Sequence, residues 1–195
     1  MKRTILIVYA ALVATPAFAH LPPGEYGSFA AGFSHPLFGL DHILAMVAVG
    51  LWAGTLGGRA IWAVPLAFVG TMSFGFVLAL TGLHLPLVEP MIMASVVVLG
   101  LLIAFAVRLE VILGAIVVGA FAMFHGYAHG GELGTAGALQ FGLGFALATA
   151  LLHAIGIGLG LGVGRLAATG SRFADVITRS IGGATATLGL VLLVG

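Results

Sequence analysis

The sequence predicts an all-α, polytopic membrane protein with six transmembrane helices after a cleaved signal peptide. Three observations carry that expectation. Of 195 residues, 61% are hydrophobic and only 7% are charged, and the mean hydropathy is +1.24; a soluble domain carries about a quarter charged residues. The apolar residues fall into six runs near 36–56, 61–82, 88–107, 111–130, 137–163 and 176–195, each long enough to cross about 30 Å of hydrocarbon at about 1.5 Å per residue. The arginines between those runs agree on a single orientation.

Residues 1–19 read as the signal peptide. Lys2 and Arg3 form its positive start, Ile5 to Ala14 its apolar centre, and Ala17-Phe18-Ala19 its small-x-small cleavage site. An uncleaved first helix is the alternative, but its apolar stretch is short and Pro16 interrupts it. Cleavage after Ala19 leaves residues 20–195 as one transmembrane domain that starts at His20. With His20 outside, the first, third and fifth loops face the cytoplasm. They hold Arg59, Arg108, and Arg165 with Arg172 and Arg179, whereas 83–88 and 131–136 hold no Lys or Arg. This satisfies the positive-inside rule and places both mature termini on the periplasmic side of a bacterial inner membrane. The connections are short except for Arg165 to Ser180.

Several classes are excluded. The chain has no cysteine, which removes disulfides and thiolate metal sites. A net charge of +1 offers no basic patch for nucleic acid. Its single lysine, Lys2, rules out a Walker A loop. The 31 glycines include Gly54-x-x-x-Gly58, Gly126-x-x-x-Gly130 and Gly156-x-x-x-Gly160-x-x-x-Gly164, the small-residue spacing that lets membrane helices approach closely. The run from Gly156 to Gly164 does not fit a dinucleotide loop and lies inside a span.

An ionisable group within a span costs about 2.5–3.5 kcal/mol even on lenient scales, so each is a functional candidate. Such groups gather in two segments, both toward the outer face. The first span opens with His35-Pro36-Leu37-Phe38-Gly39-Leu40-Asp41-His42, and the fourth closes with His125-Gly126-Tyr127-Ala128-His129-Gly130-Gly131-Glu132. His125 and His129, four apart, share one helical face, as two imidazoles on one ion do. Glu132 joins that face if the helix continues past Gly130-Gly131, and otherwise lies in the outer loop. His35 and His42 share a face but lie about 10 Å apart on a straight helix. Pro36 sets His35 just before the helix. Either His35 folds back toward His42, with Gly39 allowing the distortion, or the two are successive stations. Asp41 is a direct ligand, a carboxylate that orients an imidazole, or an acid favoured by the helix dipole.

Outside those segments, His153 lies near mid-bilayer as an inner station, a proton acceptor or a hydrogen-bonded core residue, and His84 reads as a solvated loop residue. His20, with a free α-amine after cleavage, offers a bidentate nitrogen chelator. The candidate metal ligands are therefore His20, His35, Asp41, His42, His125, His129 and Glu132. Imidazole with carboxylate and no thiolate suits Ni²⁺, Co²⁺ or Zn²⁺. No prosthetic group is expected. The partners are a divalent cation and the lipid bilayer, and the sequence leaves open a homo-oligomer or a metallochaperone.

His35-Pro36-x-x-Gly39-x-Asp41-His42, opening the first of six spans after a signal peptide, resembles the HupE/UreJ family of hydrogenase- and urease-associated nickel or cobalt permeases. The segment Phe124-His125-Gly126-x-Ala128-His129-Gly130-x-Glu132 is similar to that family's histidine-rich fourth helix. The resemblance spans nearly the whole chain and implies uptake of Ni²⁺, with Co²⁺ next, for metalloenzyme maturation. Two other readings use the same residues: an intramembrane zinc hydrolase built on the His/Asp cluster, and a sensor or structural partner that binds metal without moving it. A serine-type site would pair Ser73 or Ser95 with His153.

Overall fold

A computed structural model describes residues 28–130, 137–170 and 172–194. Among these residues every regular element is an α-helix: α1 (Ser28–Phe38), α2 (Leu40–Leu56), α3 (Ala60–Leu80), α4 (Val88–Ala104), α5 (Val111–Gly130), α6 (Ala138–Ala168) and α7 (Arg172–Val194). The expected signal peptide at 1–19, His20 and Glu132 lie outside the described residues. Four helices, α3, α5, α6 and α7, are long and apolar enough to cross a membrane. The protein is therefore a multi-pass helical membrane protein.

The first expected span is broken. Phe29–Phe38 and Leu40–Leu56 meet at Gly39 with a bend of 82°, and counted as one span they raise the total to five. The remaining apolar helix, α4, has 17 residues and reaches only about 26 Å. The expected sixth crossing rests on that shorter helix. The long connection expected at Arg165 to Ser180 is also mostly helical. Leu166, Ala167 and Ala168 extend α6, Gly170 turns the chain at φ +78, and α7 starts at Arg172. Charge lowers hydropathy there without lowering helix propensity.

Backbones pack at small residues. A Cβ added to Gly126 would come 1.8 Å from the Met72 carbonyl oxygen, and one on Gly75 would come 2.1 Å from that of Met123, so α3 and α5 touch backbone to backbone. Gly50 and Gly54 meet His153, Gly156 and Gly160 in the α2–α6 pair, and Gly100 and Gly182 do the same for α4 and α7. Two expected packing positions differ. Gly58 lies in the α2–α3 turn at φ +53, and Gly164 has open space around it.

Outward-facing residues are apolar as well. Leu139, Leu143, Leu147, Leu151, Ile155 and Leu159 form an exposed stripe along α6, repeating every four residues as one helical face does. The polar residues instead separate by end. Leu56, Arg108, Val163, Asp175 and Arg179 line one cleft of about 300 Å³, which gathers the arginine-bearing connections. Trp52 closes the core beneath it by donating its indole N–H to the Val107 carbonyl at 2.9 Å. The histidine-rich segments occupy the opposite end of the bundle.

Candidate metal centre

The centre begins with a helix that stops and restarts. Pro36 lies inside α1 rather than at the head of a helix, which corrects the expectation that His35 precedes the first span in extended chain. A proline there loses the bond to the Gly32 carbonyl and crowds that carbonyl with its ring, and α1 is held by close packing on α6. A Cβ on Gly32 would lie 2.0 Å from the Phe141 carbonyl oxygen, and one on Gly144 would lie 2.3 Å from that of Phe29. The last bond of α1 runs from the Gly39 N–H to the His35 carbonyl at 3.3 Å, and the first of α2 from the Ile43 N–H to the Gly39 carbonyl at 3.0 Å. Gly39 itself is extended, at φ −81 and ψ 115, which any residue adopts. Its reason is space: a Cβ would come 2.9 Å from His42 Nδ1 and 3.0 Å from Asp41 Oδ1.

The bend at Gly39 folds His35 back over His42. Their rings stand 5.3 Å apart, centroid to centroid, and at 87° to each other. Of the two arrangements open from sequence, the compact one is present. The last turn of α5 supplies His129, whose ring lies 4.1 Å from His35 and 4.8 Å from His42. One ring nitrogen from each of His35, His42 and His129 lies within 4.8 Å of the others. Three neutral imidazoles at that separation are able to hold a borderline divalent cation.

Asp41 and His129 bracket the His42 ring. Asp41 Oδ1 lies 3.0 Å from His42 Nδ1, outside hydrogen-bond geometry but close enough for its charge to favour the proton on that nitrogen. The lone pair is then on Nε2, which faces His129 Nε2 at 2.7 Å. Two nitrogens bound to one ion at about 2.0–2.1 Å are roughly 2.9–3.4 Å apart, so a separation of a few tenths of an ångström admits the cation. The contact with His42 Nδ1 sets Asp41 where a carboxylate is able to orient the His42 ring. Its side chain is 19% exposed against 4% for His42. The cluster thus meets the surface through Asp41 and the partly exposed His35.

Beneath the cluster, His125 is fully buried with its ring 5.3 Å from that of His42. Its Nε2 lies 2.9 Å from Ser95 Oγ, and that hydroxyl donates to the Ile92 carbonyl at 2.6 Å. A hydroxyl has one proton to donate, so His125 Nε2–H donates to Ser95 and Nδ1 carries the lone pair. No hydrogen bond reaches that Nδ1. Ser95 is therefore engaged with His125, not with His153 as a serine-type site would require. Ser73 is exposed and spends its hydroxyl on the Val69 carbonyl.

His153 is 1% exposed, and neither ring nitrogen has a hydrogen-bond partner. The reading as a hydrogen-bonded core residue is thus corrected. A buried polar group left unpaired costs about 1–3 kcal/mol. His84 is exposed, as expected of a loop residue. Nearby, the Tyr127 hydroxyl donates to the Leu83 carbonyl and accepts the Leu85 N–H at 3.0 Å, tying that loop to α5.

Aromatic rings surround these imidazoles, and sequence reasoning did not find them. Phe145 packs on His35, His42 and His129 at centroid distances of 5.9, 6.0 and 5.1 Å. Phe141 reaches His35 at 6.0 Å, and Phe68 touches His125 and His153 at 5.6 and 5.0 Å. Their apolar walls lower the local polarity, which strengthens charge interactions within.

Comparison with known proteins agrees over almost the whole chain. A family model described as HupE / UreJ protein matches residues 8–192. Protein HupE of Rhizobium leguminosarum bv. viciae is similar, at 46% identity over 197 aligned residues covering 100% of each chain. No solved structure matches at a significant level.

Proposed function

The chain belongs to the HupE/UreJ family, and from that premise we propose that it is a permease importing a divalent transition-metal cation, Ni²⁺ first and Co²⁺ next. The observation that supports this most is the meeting of His35, His42 and His129, from three different helices, within 4.8 Å of one another. Imidazoles without thiolate select borderline divalent ions over copper(I) or Mg²⁺. Asp41 orients His42, and His125 offers a further lone pair behind the cluster. His20, as a capture ligand, and Glu132 belong to the same proposed ligand set.

The arginine-bearing end is cytoplasmic in this reading, and the cluster opens toward the periplasm. A cation enters through His35 and Asp41, exchanges water for imidazole, and is released toward the arginine-lined cleft. Conduction needs binding strong enough to admit the ion and weak enough to release it. Three neutral donors with one orienting carboxylate form a moderate site of that kind. The membrane potential draws a cation inward by about 2.3 kcal/mol per charge for each 100 mV.

Flux tests the proposal. Purified protein in liposomes with an entrapped chelating dye should admit Ni²⁺, and His42→Ala or His129→Ala should abolish the signal. Undiminished flux in both variants would contradict it, and tight binding without flux would favour the sensor reading.

A further inference from the structure

Resting on the permease reading above, we propose that His153 is a second station for the cation, at mid-depth between the histidine cluster and the arginine-end cleft. Three placements point there. Phe145 packs on the cluster from α6, and His153 follows it on that helix by eight residues, about 12 Å deeper. Val163 and Gly164 of the same helix line the cleft at the other end, about 15 Å further on. His153 therefore stands near the midpoint of the path that a crossing ion covers.

The side chain is also prepared for a ligand. Both its nitrogens are buried without a hydrogen-bond partner, yet a neutral imidazole always presents one N–H and one lone pair. Packing alone uses neither. Thr149, one turn earlier on the same face, is fully buried and donates to Met72 Sδ at 3.6 Å. An oxygen and a thioether sulfur thus accompany the imidazole on that side of α6. Phe68, fully buried, packs on both His125 and His153. A single aromatic side chain thus links His125 to His153. In this scheme the cluster captures and dehydrates the ion, His125 takes it next, and His153 holds it before release among Asp175, Thr178 and Thr55 of the cleft.

The experiment uses the full chain and two readouts. Ni²⁺ flux into liposomes reports passage, and Co²⁺ absorbance titration in detergent reports the cluster. His153→Gln, which keeps volume and hydrogen bonding but ligates poorly, should lower flux at least ten-fold while Co²⁺ affinity stays within two-fold. His153→Ala should behave alike, and His153→Cys, which restores a ligand, should recover at least a third of the flux. His153→Gln at the unmodified rate would overturn the inference. So would a parallel fall of Co²⁺ affinity and flux, which marks a structural role, or a Cys variant no faster than the Ala variant. Absence of Ni²⁺ flux in the unmodified chain would overturn the permease reading itself, and this station with it.

Discussion

His42 and His129 are 87 residues apart in sequence, yet their Nε2 atoms stand 2.7 Å from each other in the buried end of the bundle. Two lone pairs at that distance repel, so a proton or a cation lies between them. With Asp41 holding the His42 proton on Nδ1, His129 supplies the bridging proton in the metal-free protein. Ligation through His129 Nε2 then requires that proton to move to Nδ1, so that the imidazole stays a neutral donor.

Asp41 is expected to act through His42. Asp41→Asn should lower Ni²⁺ or Co²⁺ affinity about 10–100-fold, the usual cost of removing a group that orients a ligand. Titration calorimetry measures this, and circular dichroism should show the helices intact. Unchanged affinity would remove Asp41 from the site.

Gly39 is expected to be intolerant for reasons of space. Gly39→Ala places a Cβ 2.9 Å from His42 Nδ1, so metal affinity should fall with little change in thermal stability. Gly158→Ala is the control. Gly158 lies within α6 with nothing within 4 Å of its added Cβ, and alanine there should be neutral or stabilising by up to about 1 kcal/mol.

The two histidine segments were legible as residues and spacing, and their partnership was not. His125 and His129 share a face by helical arithmetic, but His129 joins His35 and His42 while His125 turns to Ser95. That division depends on which helix lies opposite, which a single sequence does not encode locally. The distortion at Gly39 was one of two arrangements open from sequence; what Pro36 hid was the helix before it, since proline's usual place is a helix start although here the helix begins eight residues earlier. Phe68, Phe141 and Phe145 were indistinguishable from the exposed Phe38, Phe74 and Phe105, because in a span both faces are apolar and periodicity loses its contrast. Arg165 to Ser180 read as a connection because charge, not helix breaking, interrupts the hydropathy.

Ser95 is expected to matter for stability. Ser95→Ala removes the acceptor of the buried His125 Nε2–H, a loss of about 1–3 kcal/mol. The apparent melting temperature in detergent should fall by several degrees. An unchanged value would show that the bond adds nothing.

Protons are expected to compete with the cation. Ligation uses neutral imidazole, so a proton and the cation compete for the same ring nitrogens. Ni²⁺ flux at fixed membrane potential should therefore decline from about pH 7.5 to about pH 5.5. A flux that rises over that interval would point to proton-driven transport instead.

The joint coordination of one ion by His35, His42 and His129 is most directly tested by X-ray absorption at the nickel edge on the loaded protein. The spectrum should show a nitrogen shell at about 2.0–2.1 Å with the multiple-scattering pattern of three imidazoles, falling to two in His129→Ala. A shell dominated by oxygen, or an imidazole count that His129→Ala leaves unchanged, would contradict the account.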